Sequence, residues 1–249
     1  MARISYDEQT AAAYKAVREI PREGLLEWRD AFRRHVRPGP GTTLVDIGAG
    51  TGQFAAAFNA WFGIDVVAVE PSTSMREQIP RLPGIDVRAG DAASLPLADD
   101  SADAGWISLA LHHIPDLEAA AREIRRVLRP GAPVLIRGGV SGTRHDEIEN
   151  VRWFPETSRT IDTYPSVEET CAAFAAAGFR RETLERVRET RPGTLADYLA
   201  GLDTLRRADT TMRQLTEEEF QRGQDRVRRA VEAGGETTRS NVLDLLVLR

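Results

Sequence analysis

The sequence predicts an α/β fold whose core is a doubly wound, mostly parallel sheet. Between residues 43 and 137, short apolar segments alternate five times with helix-like segments, a pattern typical of parallel strands joined by crossover helices that cover both faces. The first apolar segment runs into three glycines at alternate positions, Gly48, Gly50 and Gly52. A strand, a glycine turn and a helix form half of a nucleotide-binding βαβ unit.

The individual elements follow from local signals. Apolar residues predict core strands at 43–47, 65–69, 85–89, 104–109 and 132–137, and later strands at 179–189 and 241–248. Helical spacing predicts helices at 6–19, 23–36, 52–61, after residue 71, and at 116–128, 166–177, 194–206 and 216–232. Ser72 or Thr73 is the predicted N-cap of the helix after residue 71, and Asp116 that of the helix at 116–128. The segment 138–166 shows little periodicity, which is typical of a lid or a binding loop.

Length and composition indicate an ordinary globular protein. The chain has 249 residues, enough for one large α/β domain with a small cap, and 41% of them are apolar. Its net charge of −5 argues against nucleic acid as a partner, because such binding requires clustered positive charge.

The single cysteine and the first residues bear on localisation. Cys171 has no partner for an internal disulfide, so we expect a reducing cytoplasm. It lies in a helix-like run, where a buried structural role is favoured over a catalytic one. The first residues begin no apolar segment, so we expect neither a signal peptide nor a membrane anchor.

The spacing of the glycines narrows the class of ligand. The dinucleotide fingerprint requires a glycine at position 53, where the chain has Gln53, and no G-K-[ST] phosphate loop occurs. Glu70 ends the second strand, 24 residues after Asp46, where a carboxylate accepts hydrogen bonds from ribose hydroxyls. The alternative is that Glu70 only stabilises the start of the next helix.

Five motifs in order resemble those of class I S-adenosylmethionine-dependent methyltransferases. They are residues 45–52, 69–72, 90–96, 108–113 and 126–132. The resemblance is close over 42–138, and it is nearest to the ubiquinone, menaquinone and small-molecule methyltransferases. It implies a Rossmann-like sheet of seven strands, the last antiparallel, with 179–189 and 241–249 paired at its edge and with a helical N-terminal and inserted cap.

The same resemblance implies S-adenosylmethionine as the cofactor and S-adenosylhomocysteine as the product. Glycines of the turn would admit the methionine portion, with Asp46 organising the loop; Glu70 would bind the ribose, and Asp91 with the backbone of Ala92 the adenine. The implied cofactor-binding residues are Tyr14, Arg18, Asp46, Gly48, Ala49, Gly50, Glu70, Pro71, Asp91, Ala92, Ser108 and Leu109. Tyr14 and Arg18 are four apart on a predicted helix, and a merely structural pair is the alternative there.

The mechanism is less determined by the sequence. Methyl transfer requires alignment of the acceptor and exclusion of water, and a base only where the acceptor carries an acidic proton. His112 and His113 are the candidate catalytic residues, and His113 is also a candidate for orienting the acceptor. Residues predicted to contact the acceptor are His113, His145, Trp153, Phe154, Tyr164 and Tyr198; packing within the cap is the alternative for some of them. We predict no metal site.

The predicted organisation is a helical cap at 1–40, a cofactor-binding core at 41–138, and a lid, cap helices and closing strands at 139–249. The predicted function is methyl transfer to a small molecule, such as a secondary metabolite or a quinone-like aromatic, by a monomer or a homodimer. A nicotinamide-dependent oxidoreductase and a non-catalytic S-adenosylmethionine-binding protein are the alternatives.

Overall fold

The fold is a single seven-stranded mixed sheet with helices on both faces. A computed structural model describes residues 19–138, 140–234 and 238–249. The strands are β1 (Thr43–Ile47), β2 (Asp65–Val69), β3 (Ile85–Arg88), β4 (Ala104–Ser108), β5 (Val134–Gly138), β6 (Arg181–Arg191) and β7 (Arg239–Leu248). Their order across the sheet is β3-β2-β1-β4-β5-β7-β6, and β7 is antiparallel to both of its neighbours. The predicted fold class is therefore confirmed.

Nine α-helices lie within the described residues. They are α1 (Leu26–Val36), α2 (Gln53–Phe62), α3 (Thr73–Arg76), α4 (Leu117–Val127), α5 (Glu149–Trp153), α6 (Ser158–Ile161), α7 (Val167–Ala175), α8 (Leu195–Ala208) and α9 (Glu217–Glu232). None of them is both long and apolar enough to cross a membrane. The predicted helix at 6–19 lies outside the described residues, apart from its last residue.

Local chemistry fixes where the core helices begin and end. Helix α2 is bounded by Gly52 and Gly63, both in the left-handed region with φ of 78° and 63°, which costs glycine little. The Ser72 hydroxyl accepts a hydrogen bond from the backbone of Met75, and the Asp116 carboxylate accepts one from Ala119. Of the two residues predicted for the first cap, Ser72 is therefore the one used, and Asp116 caps the helix after β4 as predicted.

Helix α1 belongs to the core of the sheet. Trp28 and Phe32 on its inner side are fully buried, and their rings contact those of Trp106 on β4 and Phe58 on α2 at centroid distances of 6.1 and 4.1 Å. Aromatic rings at such distances pack favourably. Part of the segment predicted as an N-terminal cap therefore covers one face of the sheet, whereas the predicted boundaries at residues 40 and 138 stay predictions.

The chain between β5 and α7 is more regular than predicted. It forms the short helices α5 and α6 and a 3-10 turn, Pro155–Thr157. A separate apolar cluster joins this segment to α8 and α9 through Phe154, Leu202 and Phe220. The segment is thereby held over the carboxyl ends of the strands.

Candidate functional site

A cavity of about 1290 Å³ lies at the carboxyl ends of the parallel strands. In doubly wound sheets, ligands bind at this edge, near the point where the strand order reverses. One side of the cavity is formed by the loops that follow β1 to β4. The other side is formed by residues 148–164, by the junction of β6 and α8, and by the first residues of β7.

The glycine turn after β1 is tied to the loop after β2 by one carboxylate. The two oxygens of Glu70 accept hydrogen bonds from the backbone N–H groups of Gly50, at 2.8 Å, and Ser72, at 2.9 Å. Burial raises the pKa of Glu70, against the lowering effect of these two donors and of Arg76. The side chain also lines the cavity, so its remaining lone pairs lie beside the space that a ligand would occupy.

The three glycines of the turn meet different surroundings. A Cβ on Gly48 would lie 2.8 Å from the Ala110 side chain, and one on Gly52 would lie 2.7 Å from Ile79. At Gly50 the nearest atom is the terminal methyl of Met75, at 3.7 Å, although its φ of 59° also disfavours other residues. Gly48 and Gly52 are therefore required by packing, whereas Gly50 leaves its backbone open towards the cavity.

Asp46, at the base of the turn, is a buried carboxylate. It is 1% exposed, and among the described residues its Oδ2 has no hydrogen-bond partner. Burial, followed by repulsion from Glu70, raises the pKa of Asp46 to about 7, although a backbone hydrogen bond from Ala55 opposes the shift. A carboxyl group in this state changes its charge near neutral pH and is sensitive to any positive charge that enters the cavity.

The loops after β3 and β4 complete this side of the cavity. Asp91 accepts a hydrogen bond from the backbone of Ala93, at 2.9 Å, and Ala92 beside it is buried. Leu109 has a φ of 53°, which is unusual for a bulky residue and is typical of functional sites. Its N–H donates to the carbonyl of Arg137 on β5, at 2.8 Å, and this bond helps to hold the backbone conformation.

The two adjacent histidines and a tyrosine of the inserted segment form a stack at the cavity. The ring of His112 lies 4.0 Å from that of Tyr164 with an interplanar angle of 8°, and 4.0 Å from that of His113. All three residues line the cavity, and so does Tyr198. The structure thus brings together four of the residues predicted for catalysis or for acceptor contact.

The structure does not bring His145, Trp153 and Phe154 to the cavity. His145 is buried and hydrogen-bonded to the carbonyl of Val140, at 2.8 Å. Phe154 is fully buried against Gly223, and Trp153 packs beside it in the same apolar cluster. These three predictions of acceptor contact are corrected, because the side chains are used to fix the cap. Tyr14 and Arg18 lie outside the described residues.

Sequence reasoning missed a set of polar residues on the acceptor side of the cavity. They are Glu149, Asn150, Arg191, Asp209, Arg239 and Asn241. A signal for one of them was present: in β6, Val187 and Glu189 are buried, whereas Arg188 and Thr190 beside them are exposed. This alternation places Arg191 on the same face as Val187 and Glu189. Across the described residues, no group of three or more His, Cys, Asp or Glu side chains has a geometry that would hold a metal ion.

One known protein family matches the part of the chain that forms the glycine turn and the parallel strands. Residues 45–136 match the family described as "Methyltransferase domain". This part of the chain is therefore similar to a methyltransferase domain. The match begins in β1 and ends in β5, so the matched residues include the glycine turn, Glu70, Asp91 and the two histidines.

Individual relatives agree with this assignment. A demethylmenaquinone methyltransferase of Corynebacterium kroppenstedtii is 38% identical over 109 residues, which cover 44% of this chain and 47% of the relative. The chain thus spans about half the length of the curated relatives that it matches.

Solved structures share the fold over most of the chain. A protein of Anabaena variabilis, described as a methyltransferase from an antibiotic biosynthesis pathway, superposes with a TM-score of 0.72 at 20% identity, covering 90% of this chain and 97% of the other. The geranyl diphosphate C-methyltransferase of Streptomyces coelicolor, solved with S-adenosylhomocysteine, gives 0.56 at 18% identity, covering 89% and 76%. Because the sequence identities are only 20% and 18%, these two comparisons show a similarity of fold alone.

Proposed function

We propose that this protein is an S-adenosylmethionine-dependent methyltransferase that acts on a small molecule. One observation carries the proposal: all ten predicted cofactor-binding residues within the described chain line a single cavity. Its volume of about 1290 Å³ exceeds the roughly 300–1,000 Å³ of a typical small-molecule site. The space is sufficient for a cofactor and an acceptor together.

Charge and geometry support the proposed cofactor. The end of the cavity below the loops of β1 to β3 holds the carboxylates of Asp46, Glu70 and Asp91, which suit a ligand with a sulfonium and an ammonium group. Glu70 is proposed to accept hydrogen bonds from the ribose hydroxyls. Asp91 and the backbone of Ala92 are proposed to bind the adenine, and Gly50 is proposed to lie beside the methionine portion. The cofactor would supply an activated methyl group.

The residues of the chain then have to orient the acceptor and exclude water. The stack of His112 on Tyr164 joins the methyltransferase domain to the inserted segment and covers this part of the cavity. His113 is the neighbouring candidate for a base, where the acceptor carries an acidic proton, and otherwise for orienting the acceptor. Tyr164 and Tyr198 are the remaining predicted acceptor contacts that line the cavity.

The setting proposed for this activity is the cytoplasm, with a monomer or a homodimer acting on a small molecule rather than on nucleic acid. The relatives named as demethylmenaquinone methyltransferases favour a biosynthetic reaction on a small aromatic or quinone-like acceptor. The nicotinamide alternative gains no support at the turn, where the Gln53 side chain donates to the carbonyl of Ile20, at 2.8 Å, in place of the third glycine of a dinucleotide fingerprint.

A labelled methyl group tests the proposed activity. The protein is incubated with S-adenosylmethionine that carries a labelled methyl group and with fractionated small-molecule extracts of bacterial cells. We expect label to enter a small molecule as S-adenosylhomocysteine is released, and both signals to fall with Glu70→Ala. Binding of the cofactor without transfer to any fraction would favour the non-catalytic alternative.

A further inference from the structure

Among the described residues, the arginines that line the cavity all lie at one end of it, whereas carboxylates line both ends. Asp46 lies near the end of β1, and Glu70 and Asp91 follow β2 and β3; these three strands form one half of the sheet. Arg137 is the last residue but one of β5, and the arginines at the facing ends of β6 and β7 line the same cavity on the other half. Glu149, Asp197 and Asp209 line this end as well. Strand β4, which is followed by His112 and His113, lies between these two halves of the sheet.

The two outer strands extend beyond the sheet edge as a wall of the cavity. Gly138, at the end of β5, pairs with Asp244, whereas β7 begins five residues earlier at Arg239. Those residues pair only with β6, in a ladder that ends with Arg191 opposite Arg239. Side chains that are directly opposite in an antiparallel pair share a face, and like charges there are destabilising. Such a pair therefore requires negative charge beside it, from carboxylates of the chain or from a ligand.

Carboxylates hold these arginines in place. Both oxygens of Glu149 accept from Arg239, at 2.7 Å each, and Glu189 pairs with Arg137 and lies 3.4 Å from Nε of Arg191. Despite burial, Arg137 and Arg191 lower the pKa of Glu189 to about 2. Buried ion pairs contribute little to stability compared with apolar packing, so their concentration at one cavity wall is better explained by a ligand.

Hydrogen-bond capacity at this end favours a ligand rich in oxygen. A guanidinium has five N–H donors. Arg239 uses three of them within the described residues, on Glu149 and on the carbonyl of Pro192. The carboxylates are more fully engaged: the two oxygens of Asp209 accept from Asn150 and from donors of residues 211 and 212. Two N–H groups of Arg239 are therefore not used by the described residues.

We propose that the methyl acceptor carries an anionic oxygen group, a carboxylate or a phosphate, which binds at Arg191 and Arg239. The body of the acceptor then extends past Leu205 and Tyr164 towards His113, all of which line the cavity. This inference rests on the proposed function and narrows its substrate class. It separates the acceptor from an uncharged isoprenoid quinone, although the methyltransferase domain resembles that of quinone-methylating relatives.

Matched probes test the inference on protein loaded with S-adenosylhomocysteine. Binding of 1-naphthoate, 1-naphthyl phosphate and the neutral 1-naphthamide is measured by calorimetry at pH 7.5. We expect at least one anion to bind about tenfold more tightly than the amide, which corresponds to one charge-assisted hydrogen-bonded contact. The stronger of the two anions identifies the group.

Variants locate the contact. Arg239→Gln and Arg191→Gln should each reduce the preference for the anion to less than about threefold, while the matched variant Arg207→Gln, at an exposed position of α8, should retain it. S-adenosylhomocysteine affinity reports whether each variant is folded. Equal binding of anion and amide, binding of neither, or a preference that survives both substitutions would overturn the inference. Failure of the wild-type protein to bind S-adenosylhomocysteine would instead contradict the proposed function.

Discussion

The carboxylate of Glu70 accepts a hydrogen bond from the backbone N–H of Gly50, at 2.8 Å, and thereby joins the glycine turn to the loop after β2. The same side chain faces the cavity proposed for the cofactor. One residue thus shapes the turn and presents acceptor oxygens to a ligand. Its substitution should affect cofactor binding through both effects.

Glu70→Gln should weaken S-adenosylhomocysteine binding by about 1–3 kcal/mol, or roughly five- to 150-fold. The amide nitrogen of glutamine cannot accept a hydrogen bond, so either a backbone N–H or a ribose hydroxyl loses its partner. Glu77→Gln is the matched control, since Glu77 lines the same cavity at an exposed position. Calorimetry that shows equal affinity for both variants would refute the assigned role of Glu70.

Asp46→Asn should stabilise the protein relative to wild type, and this gain in stability should be larger at pH 8 than at pH 5. The folded-state pKa of Asp46 is raised from 3.8 to about 7, so the folded protein retains a proton that the unfolded chain releases above pH 4. The wild type therefore loses stability as pH rises from about 4 to 7, and asparagine removes this loss. We expect a gain of about 1–4 kcal/mol at pH 8 in urea denaturation.

The same carboxyl group should make cofactor affinity depend on pH. A cationic ligand favours the ionised form of Asp46, so S-adenosylmethionine should bind more tightly as pH rises from 6 to 8, and this dependence should be absent in Asp46→Asn. Titrations at four pH values in this range provide the measurement. A wild-type affinity that is constant over the range would show that Asp46 does not sense the ligand.

Two glycines that flank α2 allow backbone strain and steric overlap to be separated. Gly63→Ala introduces only left-handed strain, because no atom lies within 4 Å of its added Cβ, and should cost about 1–2 kcal/mol. Gly52→Ala adds an overlap with Ile79 at 2.7 Å and should cost roughly 1–3 kcal/mol more. Urea denaturation of the two variants gives the comparison; equal costs would mean that Ile79 moves aside freely.

Phe154→Ala should destabilise the protein by about 3–5 kcal/mol without changing S-adenosylhomocysteine affinity under conditions where the variant is folded. The ring is fully buried, packs on Gly223 and stacks on Phe220 at a centroid distance of 5.7 Å. Leu82→Ala, at a residue that is 46% exposed, is an apolar control expected to change stability by less than about 0.5 kcal/mol. A Phe154→Ala variant of normal stability with no methyl transfer would restore Phe154 as an acceptor contact.

The sheet and its capping residues could be predicted because their signals are local. Strands β1 and β2 have the predicted bounds, since each is a short apolar run closed by glycine or proline. Ser72 and Asp116 were correct as N-caps because the bond that each accepts comes from three residues away. The predicted start of β6 at residue 179 was two residues early, because Phe179 is buried against Phe174 before the ladder begins.

The acceptor end could not be predicted from local signals. Arg191 and Arg239 are 48 residues apart in the sequence, and only the register of β6 on β7 places them opposite each other. The apolar character of Phe154 is equally compatible with a ligand contact and with a core position. Its ring packs on Gly223 of α9, which is far from Phe154 in the sequence. The cofactor end differs, because each of its residues follows directly on a strand that the sequence identifies.

Calorimetric titration of the purified protein with S-adenosylhomocysteine and, separately, with NAD tests the central claim most directly. The account predicts binding of S-adenosylhomocysteine with one site per chain, sensitive to Glu70→Gln and not to Glu77→Gln, and no comparable binding of NAD. Tight NAD binding in the absence of S-adenosylhomocysteine binding would contradict it.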